Sequence, residues 1–237
     1  MAIFLRAKWQ NIIMANYAVP AESLAAFLPK GLELDLYQGK AYVSLVGFMF
    51  KDTKLFGIPV PFYHTFEEIN LRFYVVKKNA NATKRGVVFI NETVPSQAIA
   101  WVANRLYKEH YTCMPTRHTL AVTDHMKEIK YLWKPADQWN HISVKAAHEA
   151  VKMEVGSFEE FIFEHYFGYT KVSETTTEEY KILHPSWKIN QVIEYDIQCD
   201  FEEAYGKPFA ILNDAEPEAV FMAQGSAIAV DWKRNRY

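Results

Sequence analysis

The most informative segment of the sequence is Glu67-Glu68-Ile69-Asn70-Leu71-Arg72-Phe73-Tyr74. If it is a strand, alternate side chains share a face. Glu68, Asn70, Arg72 and Tyr74 then form one polar row, backed by Ile69, Leu71 and Phe73. A carboxylate and a guanidinium two positions apart can pair and still offer donors to a ligand. Such pairing keeps a carboxylate ionised, which favours a base or an orienting role for Glu68 over an acid. Asn70, Arg72 and Tyr74 beside it suit binding of a small polar or carboxylated molecule. An ordinary strand with its polar face in water has the same alternation. The functional reading therefore requires a closed sheet, with an apolar outer face covered by helices and the polar row turned inward.

Other chemistries have less support. None of the eight histidines has metal-ligand spacing with a third ligand nearby, so neither metal nor cofactor is expected. They read as surface or capping residues. Gln224-Gly-Ser-Ala-Ile is not a nucleophile elbow, and no phosphate-cradling glycine motif occurs. Lys145 has the most apolar flanks of the lysines, but fits the solvent face of a strand better than a Schiff-base site. Cys113 lies near His110 and His118 and reads as an inert thiol. Asn81-Ala-Thr83 and Asn91-Glu-Thr93 are chance matches to a glycosylation pattern. With 26 basic and 28 acidic residues the net charge is −2, so no nucleic-acid partner is expected. The first apolar run stops at Arg6, and no run approaches the roughly 18 residues of a membrane span. Two cysteines fit a reducing compartment, and the cytoplasm is the expected location.

The elements that must position these groups are mostly strands. The chain has 237 residues, 50% hydrophobic and 15% aromatic, enough for a real core. Without repeats or linkers, residues 1–237 read as one domain. Strand patterns fall at 8–18, 32–37, 41–50, 66–76 and 87–94, and then at 117–124, 127–134, 140–148, 166–172, 179–184, 188–199 and 219–232. Pro59 and Pro61 mark one loop, residues 79–86 a hairpin turn, and the polar run 173–179 a long hairpin loop. Helices are expected at 20–28, 97–109 and 157–165, the second with Ile99, Val102, Ala103 and Leu106 on one stripe. About ten strands and three short helices predict a mainly β (α+β) fold, a barrel or strongly curved sheet.

Tyr17-Ala-Val-Pro-Ala-Glu-Ser-Leu, Leu28-Pro-Lys-Gly-Leu-Glu-Leu-Asp35 and Gly39-Lys-Ala-Tyr-Val-Ser-Leu-Val-Gly-Phe48 resemble the opening of the YqjF-like family of uncharacterised bacterial proteins. The resemblance continues through Phe66-Glu-Glu-Ile-Asn-Leu-Arg-Phe-Tyr-Val75, Gly86-Val-Val-Phe-Ile90, Asn104-Arg-Leu-Tyr107, Phe158-Glu-Glu-Phe-Ile-Phe-Glu-His-Tyr166 and His184-Pro-Ser-Trp187. That family is similar in fold to acetoacetate decarboxylase. The resemblance implies a largely antiparallel closed β-barrel or cone with a few peripheral short helices, and a homo-oligomer. It matches Glu68 to a cavity glutamate of the decarboxylase. The Schiff-base lysine position falls at Tyr111 or Thr112, so the iminium route is missing and Tyr111 becomes a candidate cavity residue. The decarboxylase's cavity arginine falls near Tyr17, leaving Arg72 to supply a cation. The expected function is a small-molecule-binding cavity, as part of an enzyme that uses Glu68. The alternative is a non-catalytic ligand-binding or oligomeric interaction protein using aromatics such as Phe161, Phe163 and Phe167.

Overall fold

β-Branched and aromatic residues recur along the segments near the two ends of the chain, and those segments form the longest strands, of 17 and 18 residues. The computed structural model describes residues 3–60, 64–79 and 82–237. Pro61, the tip of the 79–86 turn with Asn81, and the side chain of Leu106 lie outside what is described. The strands are β1 (Ile3–Val19), β2 (Glu33–Leu34), β3 (Ala41–Leu55), β4 (Ile58–Pro59), β5 (Phe66–Asn79), β6 (Ala82–Val94), β7 (Tyr111–Cys113), β8 (Thr116–Val122), β9 (Met126–Trp133), β10 (Asn140–Lys152), β11 (Phe167–Ser173), β12 (Thr176–Leu183), β13 (Lys188–Gln198) and β14 (Ala219–Arg236). The helices are α1 (Gln97–Tyr107), α2 (Phe158–Phe163) and α3 (Phe201–Tyr205), with 3-10 turns at Ala21–Leu24 and Lys207–Leu212. Among the described residues no helix is long and apolar enough to cross a membrane.

The mainly β architecture agrees with the alternation in the sequence. The sheet runs β1-β3-β5-β6-β11-β12-β14, and β14 pairs back onto β1, so these strands form a ring. From β14 the sheet continues through β13, β10, β9 and β8 as an arm. Pairing is antiparallel except where β6 meets β11 and β7. The β6–β11 junction is thin, only Phe167 opposite Gly86 and Gly168 opposite Val87.

β5 is buried on both faces. Ile69, Leu71, Phe73 and Val75 pack with Ile129, Tyr131, Trp133, Ile142 and Val144 of the arm. The outer face is thus covered largely by more sheet, where helices were expected. Alternation explains this: Ile129, Tyr131 and Trp133 are buried while Lys130 and Leu132 between them are only half-buried. Gly47 admits the arm closely, since a Cβ there would sit 2.7 Å from the Tyr131 ring. Helix α3 and the second 3-10 turn add Phe201, Phe209 and Leu212 to this core. The second core lies inside the ring, with residues from β1, β3, β5, β6, β12 and β14.

Three local expectations need correction. The polar run 173–179 is no long loop: Ser173 pairs with Thr176 across a tight turn, and Glu178 and Glu179 lie in β12, each 1% exposed. Nearby cations permit that burial. Phe161 and Phe163 of α2 are buried in the inner core and Phe167 is half-buried, so they form no open docking face. His165 is also buried, where Asp35 Oδ2 lies 3.1 Å from its Nε2. Burial pushes its pKa down to about 4 despite that bond.

Candidate functional site

Glu68, Asn70 and Arg72 face the ring interior and line a cavity of about 360 Å³. The strand register explains their order. Arg72 lies opposite Ser44, Asn70 opposite Val46, Glu68 opposite Phe48, and Phe66 opposite Phe50. The polar groups therefore cluster at one end, and aromatic side chains take over along the same face. Helix α1 adds Ala98, Ile99, Val102 and Ala103 to the wall. The Ser96 side chain caps its start by accepting from Ile99 N–H.

Two glutamates that the sequence analysis did not single out join this end. Glu92 lies opposite Asn70 across β5 and β6. Strict alternation would put Glu92 on the same side as Val88 and Ile90, which face the arm. A bulge prevents this: Leu71 pairs with Asn91 but Arg72 with Phe89, leaving Ile90 as the extra residue. The bulge reverses the pleat, so Val87, Phe89 and Glu92 all face inward. Glu109 arrives by a helix cap. Lys108 ends α1 in the left-handed conformation at φ 56°. The Asn104 side chain then accepts from Tyr111 N–H at 2.7 Å and donates to its carbonyl at 2.9 Å. This lays β7 along β6 and turns Glu109 and Tyr111 into the cavity.

At this corner Asn70 Nδ2 donates to Glu68 Oε1 at 3.1 Å, and the Tyr111 hydroxyl to Glu68 Oε2 at 3.3 Å. Glu109 Oε1 accepts from Thr170 at 2.6 Å and from Tyr180 at 2.9 Å. The Arg72 guanidinium stands 5.8 Å from the Tyr74 ring centroid, and its Nη2 lies 3.6 Å from Met14 Sδ. Eleven buried side-chain polar atoms among the described residues lack a partner. Five belong to cavity-lining residues: Trp9 Nε1, Thr53 Oγ1, Asn70 Oδ1, Arg72 Nε and Glu92 Oε2. Leaving a buried polar group unpaired costs about 1–3 kcal/mol.

Burial sets the charge state. It pushes Glu68 up to about 8, against hydrogen bonds from Asn70 and Tyr111 and the Arg72 charge. Glu109 is raised by burial to about 7. Glu92 is raised well above 4.5, by burial first and by its carboxylate neighbours second. This corrects the expectation of an ionised Glu68, because desolvation outweighs the single nearby guanidinium. Near neutral pH Glu68 is mainly a neutral acid.

Of the sequence-derived candidates, Glu68, Asn70, Arg72 and Tyr111 come together in the cavity. Tyr74 does not line it. Its hydroxyl bonds Ser44 Oγ at 2.6 Å, beneath Arg72. Thr112 turns out to Asn91. No described residue lining the cavity is a lysine. Lys145 pairs with Glu194 at the surface, at 2.8 Å. No described group of three His, Cys, Asp or Glu could hold a metal ion.

Structural comparison finds the same fold in acetoacetate decarboxylase-like proteins. The acetoacetate decarboxylase-like enzyme from Sphingomonas wittichii RW1 superposes with a TM-score of 0.66 at 10% identity, over 100% of this chain and 94% of that one. The enduracididine biosynthesis enzyme MppR, complexed with pyruvate, gives 0.66 at 9% identity, over 100% and 91%. At such identities the likeness concerns the fold alone. Residues 6–227 match the DUF2071 model, described as an uncharacterized conserved protein, and the chain belongs to that family. It is also 35% identical over 88 residues to the uncharacterized protein YqjF of Bacillus subtilis (strain 168), a match covering 37% of this chain and 35% of that relative.

Proposed function

We propose that the cavity binds a small carbonyl compound carrying a carboxylate, and that Glu68 exchanges protons with it. Arg72 receives the carboxylate through its guanidinium. Asn70 and Tyr111 hold the Glu68 carboxyl towards the bound carbonyl. The ionised fraction of Glu68 takes a proton from the carbon beside the carbonyl, leaving an enolate, and the neutral acid so formed returns a proton to that carbon to restore the ketone; exchange of the carboxyl proton with solvent in between brings in deuterium. No iminium step is involved, since no described lysine reaches the cavity. The observation that carries the reading is a carboxyl pushed up to about 8, in a mostly apolar cavity inside the ring that also holds Arg72. The pyruvate bound by MppR is a molecule of this class. We propose a single folded unit, at home in the cytoplasm, where its two free cysteines stay reduced. Homo-oligomer formation is proposed from the family resemblance.

The test is solvent-deuterium incorporation into pyruvate and acetoacetate, followed by NMR. Wild type is expected to incorporate deuterium, and Glu68→Gln to lose at least about 100-fold of the rate. Borohydride added with the keto acid is expected to leave the protein mass unchanged. Equal rates in the two proteins would remove Glu68 from the chemistry. Binding without exchange in wild type would leave a non-catalytic ligand-binding barrel.

A further inference from the structure

We infer that β8 seats a second copy of this chain, which adds its own β8 antiparallel, edge to edge, around a two-fold axis at Thr119. This is a surface for the homo-oligomer proposed above, and it is independent of what the cavity binds. β8 ends the arm, and among the described residues only β9 pairs with it. Two bonds at the ends of the β8–β9 ladder fix the direction of its backbone groups. Thr123 N–H donates to the Met126 carbonyl at 2.8 Å, and Lys134 N–H to the Pro115 carbonyl at 3.1 Å. Both pairs continue the register in which Thr116 faces Trp133 and Val122 faces Lys127. Bonded and non-bonded pairs alternate along an antiparallel ladder. Arg117, Thr119 and Ala121 therefore turn their N–H and C=O groups to β9, while Thr116, His118, Leu120 and Val122 turn theirs outward.

A row of unpaired backbone groups invites another strand, and proteins blunt such edges with lysine, proline, bulges or brevity. Brevity serves β2 and β4, of two residues each, and β7, of three. β8 has seven residues, Thr-Arg-His-Thr-Leu-Ala-Val, with no lysine, no proline and an unbroken register on β9. Self-pairing about Thr119 sets Thr116 against Val122 of the second copy and His118 against its Leu120. All four outward residues of each copy then find bonding partners, and any other register leaves some unpaired. The pairing also covers Leu120 and Val122, which are exposed in the single chain. Charge agrees with this register. Arg117 falls opposite Ala121 of the second copy and not opposite another Arg117. Glu128, exposed, faces Ala121 from β9. Each arginine thus lies in line with a carboxylate of the second copy, across one small side chain.

Analytical ultracentrifugation of the full chain tests the surface, and Leu120→Pro is expected to halve the mass that wild type shows. That proline removes an N–H that β9 does not use, which an edge strand tolerates. Oxidative cross-linking tests the register, with wild type as the control for Cys113 and Cys199. Thr119 faces its own copy in a non-hydrogen-bonded pair, where Cα atoms lie about 4.5 Å apart, within the span of a disulfide. The two Ala121 residues stand about 13 Å apart along the seam, beyond that span. Thr119→Cys is therefore expected to give at least about tenfold more disulfide-linked dimer than Ala121→Cys. If Leu120→Pro fails to fold, the two cysteine variants decide alone. A monomeric wild type would remove both this surface and the homo-oligomer. Equal cross-linking of the two cysteine variants, or a folded Leu120→Pro of undiminished mass, would remove this surface and leave the oligomer.

Discussion

Two sets of glutamates are almost equally hidden from water, yet the protein treats them in opposite ways. Glu178 and Glu179 of β12 are each 1% exposed, against 3%, 3% and 6% for Glu68, Glu92 and Glu109 in the cavity. The β12 pair is neutralised. Glu178 accepts from Arg234 Nη1 at 3.1 Å and from Arg236 Nε at 2.5 Å. Glu179 meets Lys84 at 2.5 Å, Lys77 at 3.4 Å and Asn235 at 3.0 Å. Burial pushes Glu179 up, but the bonds from Lys84 and Asn235 and the lysine charges more than compensate, and its pKa is lowered. These bonds tie β5 and β6 to β12 and β14 across the seam where β6 and β11 share only a short ladder. The cavity glutamates have no such supply of cations, and all three are raised. Buried carboxylates with matched cations hold a fold together. Those left short of cations keep protons available for a ligand.

Breaking one member of each set should expose the contrast. Glu178→Ala removes the buried carboxylate that Arg234 and Arg236 share. Removing one partner of a buried ion pair costs about 3–5 kcal/mol. The lower end applies here because the Arg236 side chain is 61% exposed. Glu92→Gln keeps the shape of a carboxyl whose charged form burial already disfavours, and should stay within about 1 kcal/mol of wild type. Urea unfolding of both variants measures the difference, and equal losses would erase the distinction.

The pH dependence of stability should also split by region. Glu68 has a folded pKa of about 8 against 4.5 for the free side chain, and Glu109 about 7. The native state then holds extra protons between those values. This contribution is complete below about 4.5 and is lost as pH rises through the folded values, by at most about 1.4 kcal/mol per pH unit for each proton. Glu179 has the opposite sign: its contribution is present above its ordinary value and lost as pH falls. Urea midpoints over a pH series should decline between about 4.5 and 8 in wild type. In the Glu68→Gln/Glu109→Gln double variant that decline should be shallower, with Glu92 left to sustain it, while the contribution of Glu179 at lower pH remains. A decline as steep as in wild type would place the protons elsewhere.

Much of the fold and part of the site were legible in the sequence, for physical reasons particular to each segment. The alternation in 66–76 gave both faces of β5, because a strand buried on two sides still obeys a period of two. Glu92 was hidden because the Ile90 bulge breaks that period, and no residue pattern around it announces a bulge. Glu109 was hidden because the direction of a side chain after a helix depends on the left-handed turn at Lys108 and the Asn104 clamp. Glu178 and Glu179 looked like loop residues because their partners Lys77, Lys84, Arg234 and Arg236 come from distant strands. The charge state of Glu68 was misjudged for a similar reason: its nearness to Arg72 was visible in the spacing, but the depth of its burial was not.

A third buried polar group lies between these extremes and should give the smallest effects. Asn16 and Ser44 are each 0% exposed and Tyr74 1%, all uncharged. Ser44 Oγ donates to Asn16 Oδ1 at 2.6 Å, an atom that can only accept. The single serine proton is thereby used, so Tyr74 must be the donor in its 2.6 Å contact with Ser44. Direction then sets the cost of each truncation. Ser44→Ala strands the Tyr74 donor and the Asn16 acceptor together, and should cost about 2 kcal/mol. Tyr74→Phe strands only a lone pair on Ser44, and should cost about 1 kcal/mol or less. The ring beneath Arg72 survives in that variant, so affinity for a carboxylate ligand should change less than about threefold. Urea unfolding and calorimetry of both variants check the order. A Tyr74→Phe cost equal to that of Ser44→Ala would mean that the chain of donors runs the other way.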